Sequence, residues 1–598
     1  MDQQTDMNEA LSTTAVAAEP GERHESEGVK ETIESIVVAL ILAFVFRAFV
    51  VEAFVIPTGS MAPTLYGAHG AILCDDCGVE FAYGLRDLDD RRKTNPVRAT
   101  SAAVCPNCNH RNVNLRANDE RMNPEKGDRI LVLKWPFDFG GDALDPGRWD
   151  VVVFKDPSDG VTNFIKRLVG LPNEVLMILD GDVFTTPTDR LSAEAVKELE
   201  RYVRDKHRFT DDPALKGRLK PLQANVLREL ERKLTITPKN KESQKALWAV
   251  VYDHDYPPRT LDANQPRWTP GRKKQSGWDA RSRHIVFKKV PQRSSLRSPG
   301  EDPPDYIELN GTRIRATNAY NVHDGRHPPL VTDLRVRFVW TPREPDATVH
   351  VRLIKQGRTF WATFRADGVV ALSESKHAPS DLKSSMAMEH LDPFTIGRAV
   401  ALSFEHVDYR LAVHVAGEEI LKSSTDPDSH AFYVPDVSAL RSQALRKSGS
   451  RAASASKKAS GPPRLYGEAG DFEATHLVVE RDVHYYHNDR FFGLGGNPWA
   501  PSSGWGSAIS PIFLRHDEFF MLGDNTAASK DSRLWDTPGE HLKRRGEAFQ
   551  LGTVPRDQLI GKAFFVYWPS GYRLSWLPIP LLNKLGVIPD VGRMRWIR

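Results

Sequence analysis

The spacing of apolar residues changes character several times along this chain, and each change predicts a different element. Residues 1–32 are polar, acidic and rich in Glu, Thr and Ala, which reads as a disordered tail. No basic stretch followed by a small-residue cleavage site occurs there, so the segment is not a removable leader. Ile33–Val51 is then apolar on every face, with the run Ile36 to Phe46 uninterrupted before Arg47. A membrane span needs about 20 residues, and Arg47 extends the run by reaching back to the interface. A helix buried in a soluble core is the competing reading. Charge does not orient the span, because the tail before it is acidic and Arg47 lies beyond it.

Beyond the span the period falls to two. Gly127–Lys134, Trp149–Lys155 and Asn163–Pro172 each read as a strand with its turn. Residues 187–246 return to helical spacing, with Leu191, Ala195, Leu199 and Tyr202, then Leu222, Val226, Leu230 and Leu234, set among charges. From 247 to 490 strict alternation dominates, as in Leu334, Val336, Phe338 and Trp340 against Arg335 and Arg337. Many alternating strands at short spacing predict an antiparallel sandwich or jelly roll, interrupted by a low-complexity mobile loop at Ser442–Ser460. Phe519–Asn525, Ser529–Arg533 and Leu559–Pro569 read as strand and turn, polar loop, and strand. The predicted fold class is mainly β with one N-terminal transmembrane helix.

The length of 598 residues calls for several domains, and a net charge of +3 is too balanced for nucleic acid to be a partner. The four cysteines fall into two pairs, Cys74/Cys77 and Cys105/Cys108, 27 residues apart. Two such knuckles suit a closed four-thiolate structural zinc site, and one or two disulfides are the alternative.

Two residues stand out chemically. Ser60 lies in Pro57-Thr-Gly-Ser-Met-Ala-Pro63, where prolines and a glycine set a stiff loop that presents two hydroxyls. The same stretch also reads as an ordinary Pro-Ser turn. Lys166 shares a strand face with Phe164 and Leu168, an unusual place for a lysine unless it snorkels from an edge strand.

Four segments in order, PTGSMAPTL at 57–65, WDVVVFK at 149–155, NFIKRLVGLP at 163–172 and GDNTAASKDSR at 523–533, resemble the bacterial type I signal peptidases, the serine/lysine leader peptidases of the S26 family. The recognisable match covers under a third of the chain. The resemblance implies a β catalytic domain near a membrane surface with Ser60 as nucleophile and Lys166 as general base. It further implies an oxyanion hole from the Ser60 N–H and the Thr58 hydroxyl, with Ser529 hydrogen-bonded to Lys166. Asp531 and Arg533 become a bracing ion pair, and Asp524 and Asn525 the strand-end turn. The substrates implied are exported preproteins with small residues, Ala above all, one and three positions before the cut. The site implied is the outer, periplasmic face of the cytoplasmic membrane, with a single pass, membrane lipid as a partner and no catalytic cofactor.

On this reading 52–72, 114–186 and 491–598 form the catalytic domain and 73–113 is a zinc-ribbon-like insert. The segment 187–246 is a helical insert, and 247–490 is a sandwich similar in pattern to concanavalin-like and laminin-G domains. The sandwich is expected to be independent of the catalytic chemistry. This chain departs from the family in having Asn173-Glu174 after Leu-Pro and Thr526-Ala527-Ala528 in the bracing loop. Three Ser-x-x-Lys matches, at Ser373, Ser380 and Ser454, are too many and too scattered to mark a β-lactamase-like site. The reading of another class makes the protein a surface module on a peptidase-like scaffold, its sandwich holding a glycan or a protein ligand.

Overall fold

The computed structural model describes residues 24–84, 102–113, 124–125, 127–139, 145–211, 221–260, 267–271, 276–289, 305–309, 314–321, 328–379, 381–446, 460–486, 504–535, 537–569 and 591–598. The chain divides into two units, 1–52 and 53–598. The expected tail over 1–23 and the expected loop over 447–459 lie outside the described residues.

The first unit is a helix, α1 (His24–Val45), continued by one wider π-turn, Phe46–Val50. Lys30–Val50 is a stretch of 21 residues with mean hydropathy 2.4 and no buried residue, long and apolar enough to cross a membrane. The helix starts inside the expected tail. Glu and Lys are good helix formers, and a helix nucleated in the apolar run extends outward at little cost.

The second unit is built on an eight-stranded antiparallel sheet. Its strands are β1 (Val51–Val55), β2 (Arg129–Leu133), β3 (Val151–Lys155), β4 (Asn163–Gly170), β5 (Glu518–Leu522), β6 (Val554–Pro555), β7 (Leu559–Trp568) and β8 (Arg595–Trp596). They run in the order β1-β2-β7-β3-β4-β5-β6, with β8 on β7. The continuous apolar run of β3 follows from cover on both faces. Val151 and Val153 enter one core with Ile56, Met61, Leu65, Ile130 and Val132, while Val152 and Phe154 enter another with Leu168, Phe519 and Met521.

A four-stranded sheet joins Glu174–Leu179 to Ile512–Leu514, so the chain leaves for the large insertion and returns on neighbouring strands. Between them stand helices Ala193–Asp211, Ala224–Lys233 and Lys241–Leu247, and then a sandwich of an eight-stranded and a seven-stranded sheet, antiparallel throughout. Among the described residues no sandwich strand pairs into the catalytic sheet. Ser442 to Arg446, expected at the start of the loop, close a helix, Val437–Arg446, whose Leu440 packs in the sandwich core.

The sandwich is not independent, however. Its core is continuous with Val175, Met177 and Phe184 of the four-stranded sheet. Sandwich Lys355 is buried between Asp182 of that sheet, at 2.8 Å, and Asp333. Lys239 binds Asp408 at 2.5 Å and Asp482 at 2.7 Å beside it. A paired charge leaves two uncompensated carboxylates when its partner is removed. Lys355→Ala should therefore destabilise the protein by about 3–5 kcal/mol in urea unfolding, whereas removing exposed Lys289, paired with Asp346, should leave the transition where it is.

Candidate active site

The loop carrying Ser60 is held by apolar anchors on both sides. Ile56, Met61 and Leu65 are buried in the core beneath the sheet, and between them Gly59–Met61 forms one 3-10 turn. The Ile56 N–H donates to Asp128 O at 2.9 Å, and the Leu65 N–H donates to Met61 O at 2.9 Å. Thr58 enters the turn in extended backbone and is half-buried. Ser60 itself is buried, and so is Lys166.

Lys166 stands on β4 opposite Val152 of β3, on the face shared by Phe164 and Leu168. Its Nζ lies 2.7 Å from Ser60 Oγ and donates to Ile165 O at 2.9 Å, 5.2 Å from the centre of the Phe164 ring. Burial pushes the Lys166 amine down to about 8, against the upward pull of Asp531, Asp156 and Asp524, with Arg533 adding to the fall.

Two of those carboxylates are themselves paired with arginines. Arg533 binds Asp531 through Nε at 2.8 Å and Nη2 at 2.7 Å, and the Gly523 N–H donates to Asp531 at 2.9 Å. Burial raises the Asp531 carboxyl, and Arg533 more than reverses it, so the net shift is downward. Asp524, expected only as part of a turn, is held by Arg167 through Nε at 2.8 Å and Nη2 at 2.7 Å. Arg167 faces away from Lys166 along the strand, is fully buried and also donates to Trp149 O at 2.7 Å. Its role was missed, although its place next to Lys166 is the signal that marks it.

Ser529 does not take its expected place. No hydrogen bond joins it to Lys166: Ile165 O receives the second bond of Lys166, and the buried Ser529 hydroxyl faces the Asp531 carboxylate, which it helps to keep ionised. Ser529 Oγ lies where a Cβ on Gly523 would meet it at 2.1 Å, with Ser60 O at 2.6 Å from the same point. Only a glycine lets the bracing loop come this close to the nucleophile. The altered Thr526–Ala528 forms a short 3-10 turn with Thr526 and Ala527 buried. Glu174, the other departure, is bound by Arg148 at 2.8 and 2.6 Å and accepts from the Leu171 N–H at 2.9 Å.

Asn525 is more than a turn residue. Its N–H donates to Ser60 O at 3.0 Å, and its Nδ2 donates to Gly59 O at 2.9 Å. Its side chain is paired in turn with Asn321, which comes from the sandwich insertion. Tyr320 and Asn318 of the same segment also contact the nucleophile loop. Hydrophobic alternation carries no signal for such a contact.

On one side of β4 the edge is open. Along β4, β5 reaches only residues 167–170, and among the described residues no strand pairs with 163–166 on that side.

The four cysteines converge on one another. Their sulfurs lie within 4.8 Å of one another, Cys74 to Cys108 and Cys77 to Cys105 at 3.6 Å, far beyond a disulfide bond of about 2.05 Å. Gly78 and Asn109 turn each knuckle in left-handed conformation, at φ of 77° and 60°. Their N–H groups donate to Cys74 O and Cys105 O at 3.0 Å. The Cys77 thiol is lowered by its hydrogen bond with Cys105, and the Cys108 thiol is raised by its own with Cys105.

The family described as signal peptidase, peptidase S26, matches residues 29–78, 111–227 and 496–568. Proteins named signal peptidase I are also similar to part of this chain. That of Buchnera aphidicola is 26% identical over 151 residues, covering 25% of this chain and 32% of its own length. That of Pseudomonas fluorescens is 32% identical over 137 residues, 23% of this chain and 30% of its own. That of Rickettsia bellii is 25% identical over 163 residues, 27% and 42%. The chain thus spans about a third of the length of the curated relatives it matches. A solved carbohydrate-binding module of Bacillus subtilis aligns with 36% of this chain and 95% of its own, at 10% identity and a TM-score of 0.21, too low to carry an argument.

Lys166 should leave a thermodynamic signature. With its pKa lowered from 10.5 to about 8, the unfolded chain holds more protons between those values, so stability rises with pH across that window. The unfolding free energy of the wild type, measured against Lys166→Met, should therefore gain on the order of 3 kcal/mol from pH 7 to 10.5. Parallel curves would place Lys166 in a solvated site.

Proposed function

We propose that the protein, whose segments 29–78, 111–227 and 496–568 match the signal peptidase S26 family, is a membrane-anchored serine endopeptidase that removes N-terminal signal peptides from exported preproteins. The observation that carries the reading is the 2.7 Å approach of Lys166 Nζ to Ser60 Oγ in a buried setting, with the amine lowered to about 8.

Neutral Lys166 takes the proton of Ser60 Oγ as that oxygen attacks the scissile carbonyl. The Ser60 N–H and the Thr58 hydroxyl donate to the oxyanion. Collapse breaks the C–N bond, Lys166-H⁺ gives its proton to the leaving amine, and the acyl group stays on Ser60. Water, deprotonated by Lys166, then attacks the ester, and Ser60 recovers its proton. The substrate enters as an extended chain along the open edge at 163–166. Asp531–Arg533 and Asp524–Arg167 hold the wall behind Lys166. Lys30–Val50 anchors the catalytic part to the cytoplasmic membrane, on its outer face, next to its preprotein substrates and membrane lipid.

The four cysteines fit a structural zinc. Sulfurs on a tetrahedron at about 2.3 Å from zinc stand about 3.8 Å apart, close to the 3.6 Å seen here. Cys74, Cys77, Cys105 and Cys108 would hold it as thiolates, leaving no open position.

Membranes carrying the protein should cleave a preprotein, and Ser60→Ala should lower the rate by on the order of 10⁴-fold or more. Lys166→Arg should be inactive, because guanidinium stays charged. The rate should rise with pH through about 8 and then level off, the base being the neutral amine. Normal cleavage by Lys166→Arg would rule out the Ser-Lys mechanism. Elemental analysis should find one zinc per chain, and a chelator should lower the thermal midpoint. No zinc, together with no titratable thiol, would mean disulfides.

A further inference from the structure

The sandwich insertion reaches the nucleophile through one segment, Ile314–Asn321. Tyr320 lies flat against Gly59, where a Cβ would meet its ring at 1.9 Å, and its hydroxyl donates to Ala68 O at 2.6 Å. Asn318 Nδ2 donates to Ala62 O at 3.1 Å, and Asn318 Oδ1 accepts from the Tyr320 N–H at 3.0 Å. On the other side the Gly84 N–H donates to Tyr320 O at 2.9 Å, tying the segment to the cysteine-bearing hairpin. Gly59, Ser60 and Ala62 are thus each within one hydrogen bond or ring contact of this strap or of Asn525.

Asn321 completes the arrangement. Its Nδ2 donates to Asn525 Oδ1 at 2.7 Å, and its Oδ1 accepts from Asn525 Nδ2 at 2.9 Å. A primary amide can turn over, exchanging its donor and acceptor ends. Only one of the two orientations lets Asn525 donate to Gly59 O, as it does at 2.9 Å. Gly59 O selects that orientation, and the reciprocal pair with Asn321 holds the Asn525 side chain in place there. Gly59 O belongs to the peptide unit whose N–H is that of Ser60. In a planar trans peptide the C=O and N–H point in opposite directions, so fixing Gly59 O fixes the direction of the Ser60 N–H.

We propose that Asn321 is a positioning residue for the oxyanion-binding peptide, acting through Asn525 and Gly59 O, so that the sandwich insertion completes the active site. The inference rests on Ser60 being the nucleophile. A misdirected N–H is felt where the oxyanion forms and not in substrate binding, so the loss falls on kcat.

The test uses the full chain in detergent with a signal-peptide-bearing preprotein. Asn321→Ala should lower kcat roughly ten- to a hundredfold, with KM, the thermal midpoint and the pH limb near 8 unchanged. Asn525→Ala should do the same or more, and the double variant should add little to Asn525→Ala, since both act through one bond. Asn321→Gln should recover part of the rate, because it keeps the primary amide, with a donor and an acceptor for Asn525. Wild-type kcat in Asn321→Ala, or a loss that follows the thermal midpoint and is not rescued by Gln, would overturn the proposal. Hydrogen exchange across 57–62 supplies a readout without substrate. Exchange should quicken in Asn321→Ala, and unchanged exchange counts against the clamp. A wild type that cleaves no better than Ser60→Ala would instead fail the peptidase reading, and exchange alone would then decide whether Asn321 orders the loop.

Discussion

Keeping one amine out of water governs the architecture around Ser60. Burial disfavours the charged form of Lys166, yet Asp531, Asp156 and Asp524 all stand near enough to restore it. Two arginines keep those carboxylates from winning. Arg533 takes Asp531 and Arg167 takes Asp524, each in fork geometry and each fully buried. Buried ion pairs add little net stability against apolar residues of the same size. Two of them flanking one lysine make physical sense as a device that holds a neutral environment around an uncharged base. Arg167 next to Lys166 in sequence puts the brace and the amine on opposite faces of the same strand, so neither can shift without the other.

Around that centre the insertions are parts of one body. Asp76, within the first cysteine knuckle, accepts from the Thr260 N–H at 2.8 Å and from its hydroxyl at 3.0 Å. Asn107, in the second knuckle, donates to Tyr256 O at 2.8 Å and accepts from the Asp253 N–H at 2.6 Å. The knuckles therefore hold the sandwich with the residues between their cysteines, which a metal would not use. With Lys355 at the four-stranded sheet and Asn321 at the nucleophile loop, the sandwich is fixed at several separate places.

How far the sequence could be read depended on whether the signal was local. Alternation in Trp149–Lys155 and Asn163–Gly170 located the strands and put Lys166 beside Phe164 and Leu168. Cysteine spacing brought four sulfurs together. The Asp531–Arg533 pair spans two residues and was equally visible. What escaped were contacts between distant segments. Arg167 to Asp524 spans 357 positions and Asn321 to Asn525 spans 204. Ser529 was misplaced for a related reason. A role carried over from a resemblance says which residue is near and not which acceptor the amine meets, and Lys166 bonds the carbonyl of its own neighbour, Ile165. The start of α1 was misjudged because composition was weighed above helix propensity.

An insertion of this size between base and bracing loop looks prohibitive for folding but is not. Closing a loop costs entropy that grows only with the logarithm of its length, about 0.6 kcal/mol per doubling. Here even that overstates the cost. Glu174–Leu176 pairs with Ile512–Leu514, so once the four-stranded sheet forms the insertion leaves and returns on adjacent strands. The remaining gaps, Lys166 to Glu174 and Leu514 to Asp524, are short and run largely in β4 and β5 of the catalytic sheet itself. An excursion closed at its neck can acquire any fold without moving Ser60 and Lys166 apart. It gains a hold on the chemistry only by sending a segment back past the neck, and Ile314–Asn321 is such a segment.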